Sequence, residues 1–199
     1  SRRSYCGIEF NQTSLATINE TMKFYNLSNG VIFNSVNLAT VNKAYFENIY
    51  YDVKLRYKNL PNGIPMHLNS GAAILSNGAL TLHTLNVSHI DPNYVMIKNA
   101  HFGVVTNGGT VSISNLKMDN VYTGGFVNYG NLNVNNTSVT ASDRGYGYRQ
   151  EIAGSAAQST NINNNFIQST GAGIGIYSAA GNTNNNGGTI GGNTIISAG

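Results

Sequence analysis

The sequence predicts an all-β protein: a right-handed, single-stranded parallel β-helix, or solenoid, of about seven to nine coils. A repeat is the first observation, since the segment 7–19 returns as 30–42, 23 residues later. Composition is the second, because only 10% of the residues are charged, against about 25% in ordinary globular proteins. Short polar residues and glycine suit turns and stacked strands. A single repeat cannot bury its apolar face alone, so stacking is required.

Apolar residues continue the register of this repeat along the chain. They alternate with polar residues, as expected for short strands with one buried face. The first row consists of Ile18, Val41, Leu82, Ile113, Val134, Ile162 and Ile190. A second row, five residues later, consists of Phe46, Val87, Met118, Val139, Ile167 and Ile195. Equivalent residues are expected to stack vertically and form one continuous dry core.

Asparagine is expected to occupy the corners between strands. Asn26, Asn48 and Asn120 each precede an apolar residue and fit a ladder of stacked amides, because asparagine tolerates left-handed backbone conformation. His89 is expected to take the same place in the repeat between them. These asparagines are therefore interpreted as structural rather than as ligand-binding residues.

The whole chain, 1–199, is predicted to be a single β-helix domain. Irregular spacing between the apolar rows predicts loop excursions near 56–66, 89–98, 142–158 and 180–188. Loops that leave a rigid scaffold frequently hold functional residues. The strand pattern runs into the last residues of the chain, from which we expect a fragment of a longer protein.

Composition argues against several classes of function. The net charge of +3 is the balance of eleven cations and eight acids. The cations are scattered and form no nucleic-acid-binding stripe. No apolar run reaches the 18 or more residues of a membrane span, so this segment is not expected to insert into a membrane. Cys6 is the only cysteine, and the four histidines are scattered. We expect neither a metal nor a cofactor.

One segment brings acids, bases and aromatic residues together. Its Tyr146, Tyr148, Arg144 and Arg149 are candidates for binding a carbohydrate. Tyrosine rings suit the apolar faces of sugars, and arginines suit acidic saccharides. A solvated loop with weak surface ion pairs is the alternative interpretation.

The same segment contains the two candidate catalytic residues, Asp143 and Glu151. A glycoside hydrolase requires two carboxylates about 5–9.5 Å apart. The sequence does not decide whether the protein is an enzyme. If it is one, we expect a polysaccharide-degrading hydrolase or lyase.

Ice binding is a third class of function to consider. A flat face rich in threonine would be needed, and Thr17, Thr40, Thr81 and Ser112 begin such a row. Asn133 and Asn161 then interrupt it. This function is the least favoured of the three that we consider.

The chain resembles the pectate-lyase-like β-helix of bacteriophage tailspikes. The resemblance is carried by strands that begin with glycine, by corners of the form Thr-Ile/Val-Asn, and by the segments 163–167 and 192–195. It covers nearly the whole chain, as a likeness of architecture. It implies a homotrimer on a virion or other extracellular surface that binds a bacterial surface polysaccharide. The resemblance leaves open whether such a protein also cleaves the glycan.

A second resemblance is to the passenger repeats of autotransporters and polymorphic membrane proteins. Glycine-led short strands at 71–74, 78–82, 109–113 and 130–134 look like theirs. The paired signature of that group is incomplete, because 24–26 and 46–48 are each one residue short of Phe-x-x-Asn. This alternative implies a surface adhesin without catalysis.

The two resemblances predict different oligomeric states. The tailspike-like interpretation predicts a homotrimer, because tailspikes of this architecture assemble in threes, and the passenger interpretation predicts a monomer. Light scattering coupled to size-exclusion chromatography measures the mass directly against the 21.2 kDa of one chain. A monomeric mass would contradict the tailspike-like interpretation.

Overall fold

The regular elements in the described part of the chain are all β-strands. The computed structural model describes residues 6–50, 71–78, 83–128, 130–151, 158–178 and 185–197. The first eight strands are β1 Cys6–Asn11, β2 Leu15–Ile18, β3 Met22–Tyr25, β4 Asn29–Asn34, β5 Leu38–Val41, β6 Ala44–Ile49, β7 Ala72–Asn77 and β8 Thr84–Ser88. The other eight are β9 Val95–Asn107, β10 Thr110–Asn128, β11 Asn131–Glu151, β12 Gln158–Asn163, β13 Phe166–Ser169, β14 Ile174–Ser178, β15 Asn185–Gly191 and β16 Thr194–Ser197. These ranges contain no helix that could cross a membrane.

The strands pair in three parallel ladders. The first ladder contains β1, β4, β7, the ends of β9, β10 and β11, and β14. The second contains β2, β5, β8, the starts of β10 and β11, β12 and β15. The third contains β3, β6, the start of β9, the middles of β10 and β11, β13 and β16. Successive segments visit the ladders in turn, an order consistent with a solenoid.

The predicted apolar rows lie in the core, except for their exposed last members Ile190 and Ile195, and with one error of register. The second ladder stacks Ile18, Val41, Val87, Ile113, Val134 and Ile162, each at most 3% exposed. The third ladder stacks Phe24, Phe46, Ile97, Met118, Val139 and Ile167. Val87, predicted for the second row, therefore belongs to the first. Leu82, predicted for the first row, lies outside the described residues. The assumed five-residue spacing fails at Val87 because residues 89–94 separate β8 from β9.

Like residues stack on like in neighbouring repeats. The rings of Phe10 and Phe33 lie 5.3 Å apart and those of Phe24 and Phe46 lie 4.8 Å apart, each pair at an interplanar angle of 9°. The spacing follows from the roughly 4.8 Å separation of paired strands. The core is therefore a set of vertical columns, each built from equivalent positions.

Asparagine ladders line the corners, as predicted. Asn26, Asn48, Asn99 and Asn120 all have positive φ. Their amides bond in series, with Asn120 donating to Asn99 at 2.8 Å and Asn99 donating to Asn48 at 3.2 Å. The prediction that His89 belongs to this ladder was wrong, because Asn99 occupies the place. His89 instead stacks on Tyr94, outside the strands.

The predicted excursions are smaller than the spacing suggested. Residues 89–94 do lie outside strands, but 95–98 already belong to β9. Residues 142–151 belong to β11, where the register jumps so that 142–145 bulge opposite β10. Gln158 begins β12, and residues 185–188 belong to β15. The remaining predicted excursion residues, 56–66, 152–157 and 180–184, lie outside the described residues.

The outward row of the second ladder bears on the ice-binding alternative. This row contains Thr17, Thr40, Asn86, Ser112, Asn133, Asn161 and Thr189. Asn86 holds the position predicted for Thr81, which lies outside the described residues. The Asn161 amide donates to the Asn133 side chain at 2.9 Å. Amides bonded to each other therefore interrupt the hydroxyl row that an ice-binding face would need.

A column of glycines brings the first ladder close to the third. Gly103, Gly124, Gly147 and Gly175 follow one another in register. A Cβ on Gly147 would lie 2.5 Å from Ile167 Cγ2 and 2.5 Å from the Gly175 carbonyl oxygen. Because side-chain and backbone atoms fill this space, the position requires glycine.

Gly147→Ala is expected to lower the free energy of unfolding by about 1–3 kcal/mol, because the methyl group overpacks the core. Gly191→Ala is the matched control, since its Cβ would have no neighbour nearer than Asn163 Oδ1 at 3.5 Å. The control is expected to change stability by no more than about 0.5 kcal/mol. Urea unfolding of both variants measures the difference, and equal stability would contradict the close approach of the two ladders.

Candidate functional site

The outer face of the first ladder presents a line of aromatic rings, here called the aromatic strip: His101, Tyr122, Tyr146 and Tyr177. His101 and Tyr122 stack at 4.8 Å and 6°. Tyr122 and Tyr146 meet edge to face at 6.5 Å, and Tyr146 meets Tyr177 in the same way at 6.0 Å. The strip crosses neighbouring strands because parallel pairing sets their outward residues side by side.

Arg149 lies within the strip. Its Cζ atom lies 4.9 Å from the ring centre of Tyr146, 5.4 Å from that of Phe126 and 5.6 Å from that of Tyr177. A guanidinium over aromatic faces is attracted by their quadrupoles. Arg149 therefore holds these rings in a fixed arrangement and occupies the space between them.

Glu151 neutralises this arginine. Its Oε1 atom accepts hydrogen bonds from Arg149 Nε at 2.7 Å and from a terminal nitrogen at 2.5 Å. The two side chains are 36% and 29% exposed. They lie two residues apart in β11, so both extend from the same face of the strand.

An apolar column leads to Arg149 from the other end of the first ladder. In register, Ile32, Leu75, Val105 and Phe126 precede Arg149, and Tyr177 follows it. The first four are at most 5% exposed and belong to an apolar cluster separate from the main core. Glu9 on β1 is the first member of this column. Between Glu9 and the aromatic end with its one ion pair, the column is apolar.

A shallow groove of about 600 Å³ adjoins the strip. Tyr50, His101 and Tyr122 line it together with corner asparagines Asn99 and Asn120. Ring faces thus lie beside amide groups, a combination that offers apolar contact and hydrogen bonds to one ligand.

Of the six predicted site residues, the structure brings together Tyr146, Arg149 and Glu151. Asp143 and Arg144 lie in the bulge instead, and their side chains are 67% and 83% exposed. They face each other at 4.0 Å, a weak contact, and Asp143 also accepts a hydrogen bond from the Ala172 amide at 3.2 Å. Arg144 therefore contributes no contact to the aromatic strip.

The predicted carboxylate pair is not supported. Gly145 to Glu151 is a continuous extended segment, which places Asp143 and Glu151 on the order of 20 Å apart at about 3.3 Å per residue. Glycoside hydrolysis requires about 5–9.5 Å. These two acids are too far apart to act on one glycosidic bond.

Tyr148, predicted to bind substrate, lies in the core rather than on the surface. Its side chain is 0% exposed and packs in the main core. Its hydroxyl lies 2.5 Å from Thr137 Oγ1. Burial raises the pKa of Tyr148, and the hydrogen bond to Thr137 opposes that rise. Tyr148 comes directly after Gly147, a member of the glycine column, and its side chain is directed into the core.

The sequence prediction missed His101, Tyr122, Tyr177 and Phe126. They lie 20 to 48 residues from Tyr146 or Arg149 in the sequence, in other repeats. The register of the repeats was the usable signal. Arg149 aligns with Tyr177 of the following repeat and with Phe126 of the preceding one. Comparing outward positions between repeats, rather than within one segment, would have found them. Within the described ranges, no three potential metal ligands cluster.

Burial lowers the pKa of His101. The unfolded chain therefore binds this proton at a higher pH than the folded protein does. The neutral imidazole of His101 therefore contributes to stability above its pKa in the unfolded chain, near 6.5. This contribution is lost as the pH falls through its pKa in the folded protein. We expect the melting temperature to fall between about pH 7 and pH 5 less steeply in His101→Phe, which keeps a ring against Tyr122.

His89→Gln, on a different part of the surface, is the control and should retain the wild-type pH profile. Differential scanning calorimetry across the pH series measures both variants. Parallel profiles for wild type and His101→Phe would contradict burial of this imidazole.

Comparisons with known proteins identify no relative. The chain matches no protein-family model, no curated protein and no solved structure. Its function must therefore be argued from the geometry of its own side chains, and above all from the aromatic strip and the Arg149–Glu151 pair.

Proposed function

We propose that this protein is a right-handed, single-stranded parallel β-helix that binds a polysaccharide of a bacterial surface. Three parallel ladders, visited in turn by the chain, support the β-helix. Right-handedness is supported by the rule that parallel crossover connections are right-handed in about 98% of cases. The seven segments of each ladder in the described residues fit the predicted number of coils.

The aromatic strip is the single observation that supports saccharide binding. Tyr177 is 38% exposed and meets Tyr146 edge to face, while Arg149 fixes both rings. A pyranose has an apolar face of C–H groups and a rim of hydroxyls. Tyrosine offers a flat apolar ring and a polar tip to such a ligand.

The strip extends along the stack rather than into a deep pocket. Its members come from four adjacent strands of the first ladder: the ends of β9, β10 and β11, and β14. A chain of linked sugars can contact several such rings in succession, and each contact adds to the affinity. This geometry favours a polymer over a single small sugar.

The proposal is one of binding, carried by a tailspike-like homotrimeric shaft outside the cell. The candidate acids are each occupied elsewhere, Glu151 by Arg149 and Asp143 in the bulge. We therefore assign no cleavage step to this surface. An adhesin passenger would use the same surface as a monomer.

Tyr177→Ala is expected to weaken polysaccharide binding about tenfold, or ~1.4 kcal/mol, because it removes an exposed ring from the strip. Tyr25→Ala is the matched control: Tyr25 is 44% exposed and lies on the third ladder. The control should bind as wild type does. A glycan array of bacterial surface polysaccharides, followed by titration calorimetry on the strongest ligand, measures both.

Equal loss of affinity in the two variants would contradict the proposed site, since it would place the ligand away from the first ladder. Circular dichroism of each variant, recorded alongside, verifies that both retain the β-sheet fold.

A further inference from the structure

We propose that the aromatic strip selects neutral over acidic polysaccharides, because the Arg149–Glu151 pair cancels the charge of the cation that lies among its rings. This inference rests on the proposed saccharide-binding function and specifies its ligand class. It also departs from the expectation that two arginines among tyrosines would favour an acidic glycan.

Glu151 lies at the end of a column of asparagines in the first ladder. In the column that contains Glu151, the preceding members are Asn34, Asn77, Asn107 and Asn128. Those amides bond in series, with Asn107 donating to Asn77 at 2.7 Å and Asn77 donating to Asn34 at 3.0 Å. Glu151 thus replaces asparagine at the end of an amide ladder.

The column that contains Arg149 also changes, from apolar to charged, at the same strand. Ile32, Leu75, Val105 and Phe126 are apolar, and the next residue in register is Arg149. Glu9 begins this column on β1, at the far end of the ladder. At β11 an acid and a base then enter the two columns together. Since a charge alone at either place would lie beside apolar or amide neighbours, the pair acts as one unit.

Both cations of the segment 142–151 lie beside acids. Arg149 is covered by three rings and bound twice to Glu151 Oε1. Arg144, in the bulge, lies beside Asp143. The segment 142–151 therefore contains two cations and two anions and has no net charge. An acidic glycan gains little from such a surface and is repelled by the carboxylate of Glu151.

The Arg149–Glu151 pair keeps hydrogen-bond donors and acceptors available for a ligand. A carboxylate accepts on two oxygens, and a guanidinium has five N–H donors. Only two of those donors bind Glu151. The pair can thus accept from and donate to sugar hydroxyls while Tyr146 and Tyr177 contact the ring faces. Hydroxyl groups without ionised neighbours match this set of partners.

The test compares wild type with Glu151→Gln and with a matched control, Glu47→Gln. Glu47 is on the third ladder, where it accepts a hydrogen bond from the Tyr45 hydroxyl at 3.1 Å. Both variants remove one negative charge, but only Glu151→Gln leaves Arg149 without its counter-ion. Titrations use neutral galactomannan and dextran, and acidic polygalacturonate and hyaluronate.

Wild type is expected to bind a neutral polymer more tightly than either acidic one. Its affinity should change less than about twofold when NaCl rises from about 0.1 M to about 1 M, which shortens the Debye length from about 10 Å to about 3 Å. Glu151→Gln should gain about tenfold or more for the acidic polymers at low salt and lose that gain at high salt. Glu47→Gln should retain the wild-type ratio of affinities.

Two other results have separate meanings. The neutral-glycan inference would be overturned if the wild type preferred polygalacturonate or hyaluronate in a salt-sensitive way. It would also be overturned if both variants gained affinity for the acidic polymers equally. Saccharide binding would stand in either case. Failure of the wild type to bind any of the four polymers, or any glycan on the array, would overturn the proposed function and this inference together.

Discussion

Register between stacked parallel strands is the constraint on which the rest of the structure depends. Each strand pairs with its equivalent one repeat away, so that Ile8 meets Val31 and Val31 meets Ile74. A shift of one residue would turn every inward side chain outward. The buried columns of the core and the bonded asparagines at the corners both fix the same register, and each is satisfied only when the other is.

This constraint explains the unusual composition. Asparagine recurs at corners because its side chain bonds to its equivalents while its backbone takes positive φ, as at Asn48, Asn99 and Asn120. Glycine recurs where the first ladder approaches the third, as at Gly103 and Gly147. Charged residues are rare because like charges stacked about 4.8 Å apart would repel. The low charge content is thus a consequence of stacking.

The same register assembles the aromatic strip. His101, Tyr122, Tyr146 and Tyr177 are distant in sequence, yet neighbouring strands set them side by side. A surface built in this way is rigid, because each ring is fixed to a strand whose other face is buried. Rigid aromatic surfaces lose little conformational entropy on binding. Departures from the repeat are therefore informative, and the pair Arg149 and Glu151 is the clearest departure on this face.

The end of the stack differs from its middle. The last members of the two core rows, Ile190 and Ile195, are 57% and 51% exposed, whereas their equivalents Ile162 and Ile167 are 1% exposed. In the described residues, Ile190 and Ile195 each pair on one side only, with Ile162 and Ile167. Tyr177 lies on the last described strand of the first ladder, and its ring is 38% exposed, whereas that of Phe126, two strands earlier, is 5% exposed.

The sequence alone determined the strand class, the inward rows and the structural role of corner asparagines, because these depend on periodicity that is local to each repeat. It could not determine which repeat position Val87 holds, since an interruption of unknown length precedes Ile97 and two registers fit equally well. Nor could it show that Tyr148 points inward and Tyr146 outward, because the glycine between them changes the alternation. Only the tertiary structure decided which distant residues share the outer face of the first ladder. That proximity arises from pairing between repeats, and no local pattern encodes it.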